Sequence, residues 1–331
     1  MARTVVMPML RKISLCALLL CLSCSHSATP KIGFLVKMPE QGWFISEQKG
    51  AAEAGKEMGF AVIDIGAQDG EKVLSAIDNL AAQGAQGFVI CAPDVRLGPA
   101  ILARARAQNL KFVSVDDQLQ DADGKPLPDV PHLGMSAHDI GAQVGDALAA
   151  EMKRRGWKPE ETAALRISDN ELPTARARTD GATGALLAGG FDPARIFDAP
   201  QRTTDTDGGF NAAMPLLSQH AAATHWLIFA INDETVLGGV RATEQLHIAA
   251  ANVIGIGING EAEAAAEFSK SQPTGFYGSM AVSSTMHGRR SAINLFNWIK
   301  TGEKPPLDTQ TTGTLMTRDN WLQVKAQLGS S

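Results

Sequence analysis

The sequence predicts an α/β protein of two similar lobes, each a parallel sheet with helices on both faces. Three observations carry this. Strand-like and helix-like segments alternate almost without exception beyond residue 30. The strand-like runs are short, continuous and rich in Val, Ile and Phe, as strands buried on both faces of a parallel sheet are. The alternation also restarts midway, past the proline-bearing stretch Leu127-Pro128-Asp129-Val130-Pro131. Two βα series joined by right-handed crossovers therefore build two lobes, with room for a site between them.

Taken in order, the first strand covers 31–36 and an amphipathic helix runs from about Trp43 to Met58. A strand at 61–65 precedes a helix at 71–82, which sets Val73, Ile77 and Leu80 on one face. Strand 87–91, helix 101–107 and strand 112–115 complete the first series, and the short run 133–136 closes it. The second series opens with a long helix at 140–155. Strand 163–168, helix 176–188, strand 195–199 and helix 208–218 follow. The run 226–231, helix 235–245, run 253–258, helix 262–271, strand 275–280 and helix 287–299 continue it. A closing segment at 313–317 and a terminal helix containing Trp321 and Leu328 end the chain.

Four apolar runs stop on polar residues: the first at Lys37, the fourth at Asp116-Asp117, and two in the second series at Asn232 and Asn259. In open parallel sheets the ligand crevice lies just past the carboxyl ends of the strands. A cation, two carboxylates and two amides placed there can hold a small polar molecule. Any single Asp or Asn after a strand is also a common helix N-cap. Four stops of mixed chemistry spread over the chain favour a site.

The N-terminus reads as a secretory leader. Arg3, Arg11 and Lys12 form a basic region, residues 13–24 are apolar but too short to span a bilayer, and small residues run to Ala28. Residues 1–28 are therefore excluded from the fold, and the mature chain is expected to be exported and periplasmic. Anchoring as a lipoprotein at Cys24 is disfavoured, because Cys21 stands where an aliphatic residue belongs. With Cys16, Cys21 and Cys24 in or beside the leader, the mature chain keeps Cys91 alone and no internal disulfide. A core built from about 300 residues must hold it together. A net charge of −5 with mixed signs argues against nucleic acid. Basic clusters such as Lys153-Arg154-Arg155 and Arg289-Arg290 read as solvated helix ends and faces.

Catalytic and cofactor signals are weak. The stretch Gly255 to Gly260 spells G-x-G-x-x-G, but its first glycines lie inside an apolar run and no acid follows at the dinucleotide spacing. No cofactor is implied. Asp116 and Asp117, adjacent at a strand end, point apart and lack a general-acid partner. His287 is expected as a surface or first-turn residue, the other histidines lack metal-ligand spacing, and Cys91 is expected to pack as a small apolar residue.

The motifs KIGFLVKMPEQGWF, GFVICAPD, VDDQ, ISDNELPTARARTDG, INDETVLGGVRATE, IGIGING and TGFYGS together resemble the periplasmic L-arabinose-binding proteins, the substrate-binding components of ABC-type pentose importers. The resemblance runs in the same order over nearly the whole mature chain. It implies two Rossmann-like lobes of the type I periplasmic binding protein fold joined by three hinge crossings. The first lobe would be 30–136 plus 283–311, the second 138–281 plus 312–331. It further implies that Lys37, Asn232 and Asn259 bond sugar hydroxyls, that Asp117 takes the anomeric hydroxyl beside Asp116, and that Arg178 donates to the ring oxygen. Trp43 and Phe44 match the aromatic wall; Met135, Thr174, Leu172 and Cys91 match the apolar lining. Two positions depart: Gln41 replaces a glutamate and Ile231 a methionine, which leaves the exact sugar preference open.

The chemistry suits a sugar on its own terms. Burying a ring of hydroxyls costs free energy unless each is paired, and charged partners make the stronger bonds. An asparagine accepts from one hydroxyl and donates to the next, while an indole and a phenyl cover the C–H face. The expected protein captures a monosaccharide, L-arabinose or a relative such as D-galactose, as a monomer and passes it to an ABC permease. A secreted sugar-converting enzyme and a chemosensory receptor are the alternatives. A repressor core is excluded by the leader and by the missing helix-turn-helix head.

Overall fold

A computed structural model describes Met1, Ala2, Thr4 and residues 29–329. The rest of the expected leader, with Cys16, Cys21 and Cys24, lies outside the described residues. The first series comprises β1 (Lys31–Val36), α1 (Gly42–Met58), β2 (Ala61–Gly66), α2 (Gly70–Ala82), β3 (Gly87–Ile90), α3 (Gly98–Ala107), β4 (Lys111–Val115) and β5 (His132–Met135). The second comprises α4 (Ala137–Arg154), β6 (Thr162–Ser168), α5 (Pro173–Ala188), β7 (Ile196–Pro200), α6 (Thr206–Gln219), β8 (His225–Phe229), α7 (Asp233–Gln245), β9 (Val253–Asn259), α8 (Ala262–Phe268) and β10 (Phe276–Ala281). The chain then adds α9 (Ser284–Thr301), β11 (Asp308–Thr311), β12 (Thr314–Thr317) and α10 (Trp321–Leu328).

Two six-stranded sheets result, ordered β11-β5-β4-β3-β1-β2 and β12-β10-β9-β8-β6-β7. The first is wholly parallel. In the second only β12 runs antiparallel, against β10. These are two α/β lobes with the same strand order, each with a topological switch point beside its first strand. The chain changes sheet three times. After β5 it enters the second lobe, where α4 packs on α5; after β10 it returns as α9, packed on α1; between β11 and β12 it crosses again. The cores are what the apolar runs foretold: Phe34, Phe88, Trp226 and Phe229 have no exposed surface, each burial stabilising the fold by about 1.5–3 kcal/mol.

Several boundaries differ from the sequence reading for local reasons. α4 and α9 begin one turn earlier than the apolar period suggests, because their first turns are polar. α5 starts at Pro173, a residue suited to a helix's first position. β8 ends at Phe229, since Ala230 and Ile231 already lead into the cap of α7. β11 went unread because Asp308-Thr309-Gln310-Thr311 is polar and half-exposed at a sheet edge. The basic cluster is not simply solvated: Arg154 and Arg155 close on the buried Glu151 carboxylate at 2.6 and 2.7 Å.

Two helices touch at backbone distance. A Cβ on Gly50 of α1 would overlap the Thr285 carbonyl oxygen of α9, and one on Gly288 of α9 would overlap the Glu47 carbonyl oxygen of α1. Only glycine fits at either place.

Candidate functional site

The carboxyl ends of β1, β4, β8 and β9 face one cleft between the lobes. A cavity of about 490 Å³ there is lined by Lys37, Gln41, Trp43, Phe44, Asp116, Asp117, Leu172, Arg178, Ile231, Asn232 and Asn259 among others. Each is put there by its element. Lys37 follows β1, and Trp43 and Phe44 sit in the first turn of α1. Asp116 leaves β4 with φ 61°, a left-handed turn that sends it and Asp117 in different directions. Asn259 ends β9 with φ 122°, an unusual backbone setting of the kind that collects at binding sites.

The polar groups form two linked sets. Lys37 Nζ lies 2.5 Å from Asp117 Oδ2. Thr174 Oγ1 donates to Asp117 Oδ1 at 2.5 Å, and Cys91 Sγ lies 3.6 Å from Oδ2. Burial alone would lower the Lys37 ammonium's affinity for its proton, but the Asp117 charge raises it well above the ordinary lysine value. Burial would likewise push Asp117 up, and Lys37, with help from Thr174 and Arg178, holds it below the usual carboxylate range. The pair is ionised on both sides. Arg178 donates from Nη1 to the Ile231 carbonyl at 2.8 Å, while its buried Nε has no protein partner. Burial pulls this guanidinium down against the charges of Asp117 and Asp116.

In the second set, Trp43 Nε1 donates to Asp116 Oδ2 at 2.7 Å and His287 Nδ1 meets Oδ1 at 2.9 Å. Glu47 lies behind them, fully buried, with neither oxygen bonded to a donor. Burial first and then the Asp116 charge push its carboxyl well above the usual range. Glu47, Asp116 and His287 bring their polar atoms within 4.8 Å of one another. Both ring nitrogens of His287 are already engaged, the second by Thr311 Oγ1 at 2.7 Å, which leaves no lone pair for a cation.

Three of the expected residues do not line the cavity. Cys91 and Met135 are buried in the core behind it, and Thr174 turns its hydroxyl onto Asp117 rather than offering an apolar wall. Asn232 reaches the cavity but also does what the capping alternative requires: its Oδ1 accepts from the Thr235 amide at 3.0 Å and its Nδ2 donates to the Thr204 carbonyl at 2.9 Å. Gln41 Nε2 reaches the same carbonyl, 3.4 Å away on the other lobe. His287 corrects half of its expectation: it does lie in the first turn of α9, but at 1% exposed it is buried and not at the surface, because this position faces inward. Asp94, Arg96, Gln68, Gln120 and Glu171 also border the cavity and were missed. Asp94 follows β3 as Lys37 follows β1, so the strand-stop argument applied to that run would have found it.

Two α/β lobes clasping a polar cleft past their strand ends define a periplasmic-type binding protein. The sequence family described as periplasmic binding proteins and sugar binding domain of LacI family matches residues 29–320. The chain belongs to this family, whose members bind substrates rather than convert them. It is 67% identical over 299 residues, 90% of each chain, to an ABC transporter L-arabinose-binding periplasmic protein of Azospirillum brasilense. Identity is 51% over 292 residues, 88% of each chain, with the L-arabinose-binding periplasmic protein of Escherichia coli K12. In fold it is similar to a solved Caulobacter myo-inositol binding protein with bound myo-inositol, at TM-score 0.76 and 18% identity over 92% of this chain and 98% of that one. Relatives of this kind work in the periplasm, and among the described residues no helix is long and apolar enough to cross a membrane.

Proposed function

We propose that this protein binds L-arabinose in the periplasm and delivers it to the membrane subunits of an ABC importer, acting as a monomer without catalysis. One observation carries the reading. The cleft is built from a paired lysine and aspartate, a buried arginine with an unused Nε, two asparagines and an aromatic wall, in a chain two-thirds identical to a protein named for L-arabinose binding. The Lys37 ammonium keeps hydrogens beyond the one given to Asp117, and Asp117 Oδ1, which accepts only from Thr174, and the Asp116 oxygens keep lone-pair capacity for a hydroxyl. Asn259, whose side chain bonds to no other described residue, is free to accept and donate. Arg178 offers its remaining nitrogens to the ring oxygen, while Trp43 and Phe44 cover C–H surface. Gln41, Ile231 and Leu172 complete the walls, with Cys91, Met135 and Thr174 supporting from behind. The places where the chain changes sheet support lobes of 30–136 plus 283–311 and 138–281 plus 312–331, and the leader-like N-terminus supports export with cleavage near Ala28.

Calorimetric titration against pentoses and hexoses tests this. L-arabinose should bind one to one, ahead of D-galactose, with no product formed on prolonged incubation. Failure of every monosaccharide to bind, or steady turnover, would overturn it.

A further inference from the structure

We infer that His287 is the positioning residue that ties the sugar-facing carboxylate Asp116 to the hinge, making the seating of a sugar and the closing of the lobes a single event. The inference rests on the sugar-binding reading of the cleft and deepens it. His287 Nδ1 meets Asp116 Oδ1 at 2.9 Å, an N–H facing a carboxylate acceptor in the tautomer that leaves Nε2 for Thr311. Its Nε2 meets the hydroxyl of Thr311, the last residue of β11. The Thr311 carbonyl in turn accepts from the Ser136 amide at 2.9 Å. Thr311 and Ser136 lie where the chain leaves the first sheet on two of its three crossings.

The third crossing delivers His287 itself. The Val282 amide donates to the carbonyl of Asn259, a cavity residue, at 3.0 Å, and the His287 amide donates to Ser283 at 3.0 Å in the first turn of α9. One crossing thus touches the imidazole directly through Thr311, a second is bonded to it at one remove through Ser136, and the third leads into the helix that carries it, while its other nitrogen faces Asp116 at the cavity. Trp43 fixes the assembly from above, its ring edge-on to the imidazole with centroids 5.4 Å apart and its Nε1 on the other oxygen of Asp116. A histidine buried merely for stability would need one satisfied partner per nitrogen. Here the two partners are a binding residue and a hinge residue, in a dry network where each member orients the next.

The test compares wild type with Thr311→Val, which removes the hinge-side hydroxyl, and His287→Asn, whose amide can still donate to Asp116 but falls short of Thr311. L-arabinose binding is read by calorimetry, closure by small-angle scattering at saturating sugar, and stability by the melting of the sugar-free protein. Each single variant is expected to weaken binding about tenfold, to leave a fraction of molecules open at saturation and to melt close to wild type. The double variant is expected to be no weaker than the worse single one, because both cut the same connection. Unchanged affinity and closure in Thr311→Val, or additive losses in the double variant, would overturn the inference even with wild type binding normally. A wild type that binds no sugar would instead overturn the function proposed above.

Discussion

Replacing Asp117 by alanine removes the acceptor shared by Lys37 and Thr174, and the size of the effect can be worked from the geometry. Asp117 is 3% exposed and the side chain of Lys37 is 16% exposed, so the truncation leaves a cation almost without water or counter-ion. Breaking such a pair costs about 3–5 kcal/mol of folding stability. Binding loses separately, because a hydroxyl that had a charged acceptor meets an empty space: about 1.5–3 kcal/mol, roughly tenfold to 150-fold in affinity. The two losses are separable by measuring melting without sugar and calorimetric affinity on protein shown to be folded. Asp117→Asn controls for shape, keeping the Thr174 contact while removing the charge, and should fall between wild type and alanine in both measurements. A folded Asp117→Ala variant that binds arabinose within threefold of wild type would refute Asp117 as a direct sugar ligand.

Sugar should also close the lobes, since residues of both touch the cavity and a ligand favours the state in which it makes more contacts; an unchanged scattering radius of gyration at saturation would count against a clamp. Gly288→Ala places a methyl on the Glu47 carbonyl oxygen and should destabilise the fold by about 2–3 kcal/mol, seen as a lower denaturation midpoint. Glu234, whose Oε2 is buried without a partner, has its carboxyl pushed by burial, and then by Glu263, Glu261 and Asp205, from 4.5 up to about 7. The folded state then holds a proton that the unfolded chain has lost, so this group's contribution is present below about pH 4.5 and is lost as pH rises to about 7. Glu234→Gln should accordingly raise the melting temperature at pH 8 and leave it nearly unchanged at pH 4.5; an equal effect at both pH values would dismiss the assignment.

The fold was legible because its signals are local. A run such as 226–229 is apolar on every residue, and only a strand covered on both faces accepts that. The cleft was legible for the related reason that strand ends are punctuated by the first polar side chains, as at Lys37 and Asp116-Asp117. What escaped depends on contacts made at long range. β11 is a polar segment held only by pairing with β5, and its own sequence carries no apolar period. His287 gains its place from Asp116 and Thr311, 171 and 24 residues away, and nothing beside it in the sequence announces either. Asn232 illustrates a third case, where capping and lining the cavity proved to be compatible duties of one amide.

The fit of α1 against α9 bears on how the molecule comes into being. The two helices lie at opposite ends of the chain, at Gly42–Met58 and Ser284–Thr301, and their glycines require backbone to meet backbone. β11 likewise completes the first sheet from residues 308–311. The first lobe is therefore unfinished until nearly the whole polypeptide has been made, whatever the second has already accomplished. Pairings of such sequence separation form slowly, because a long loop must close before any contact rewards it. That ordering delays the compaction of the first lobe until the last helices are available, so its final folding steps wait on the far end of the chain.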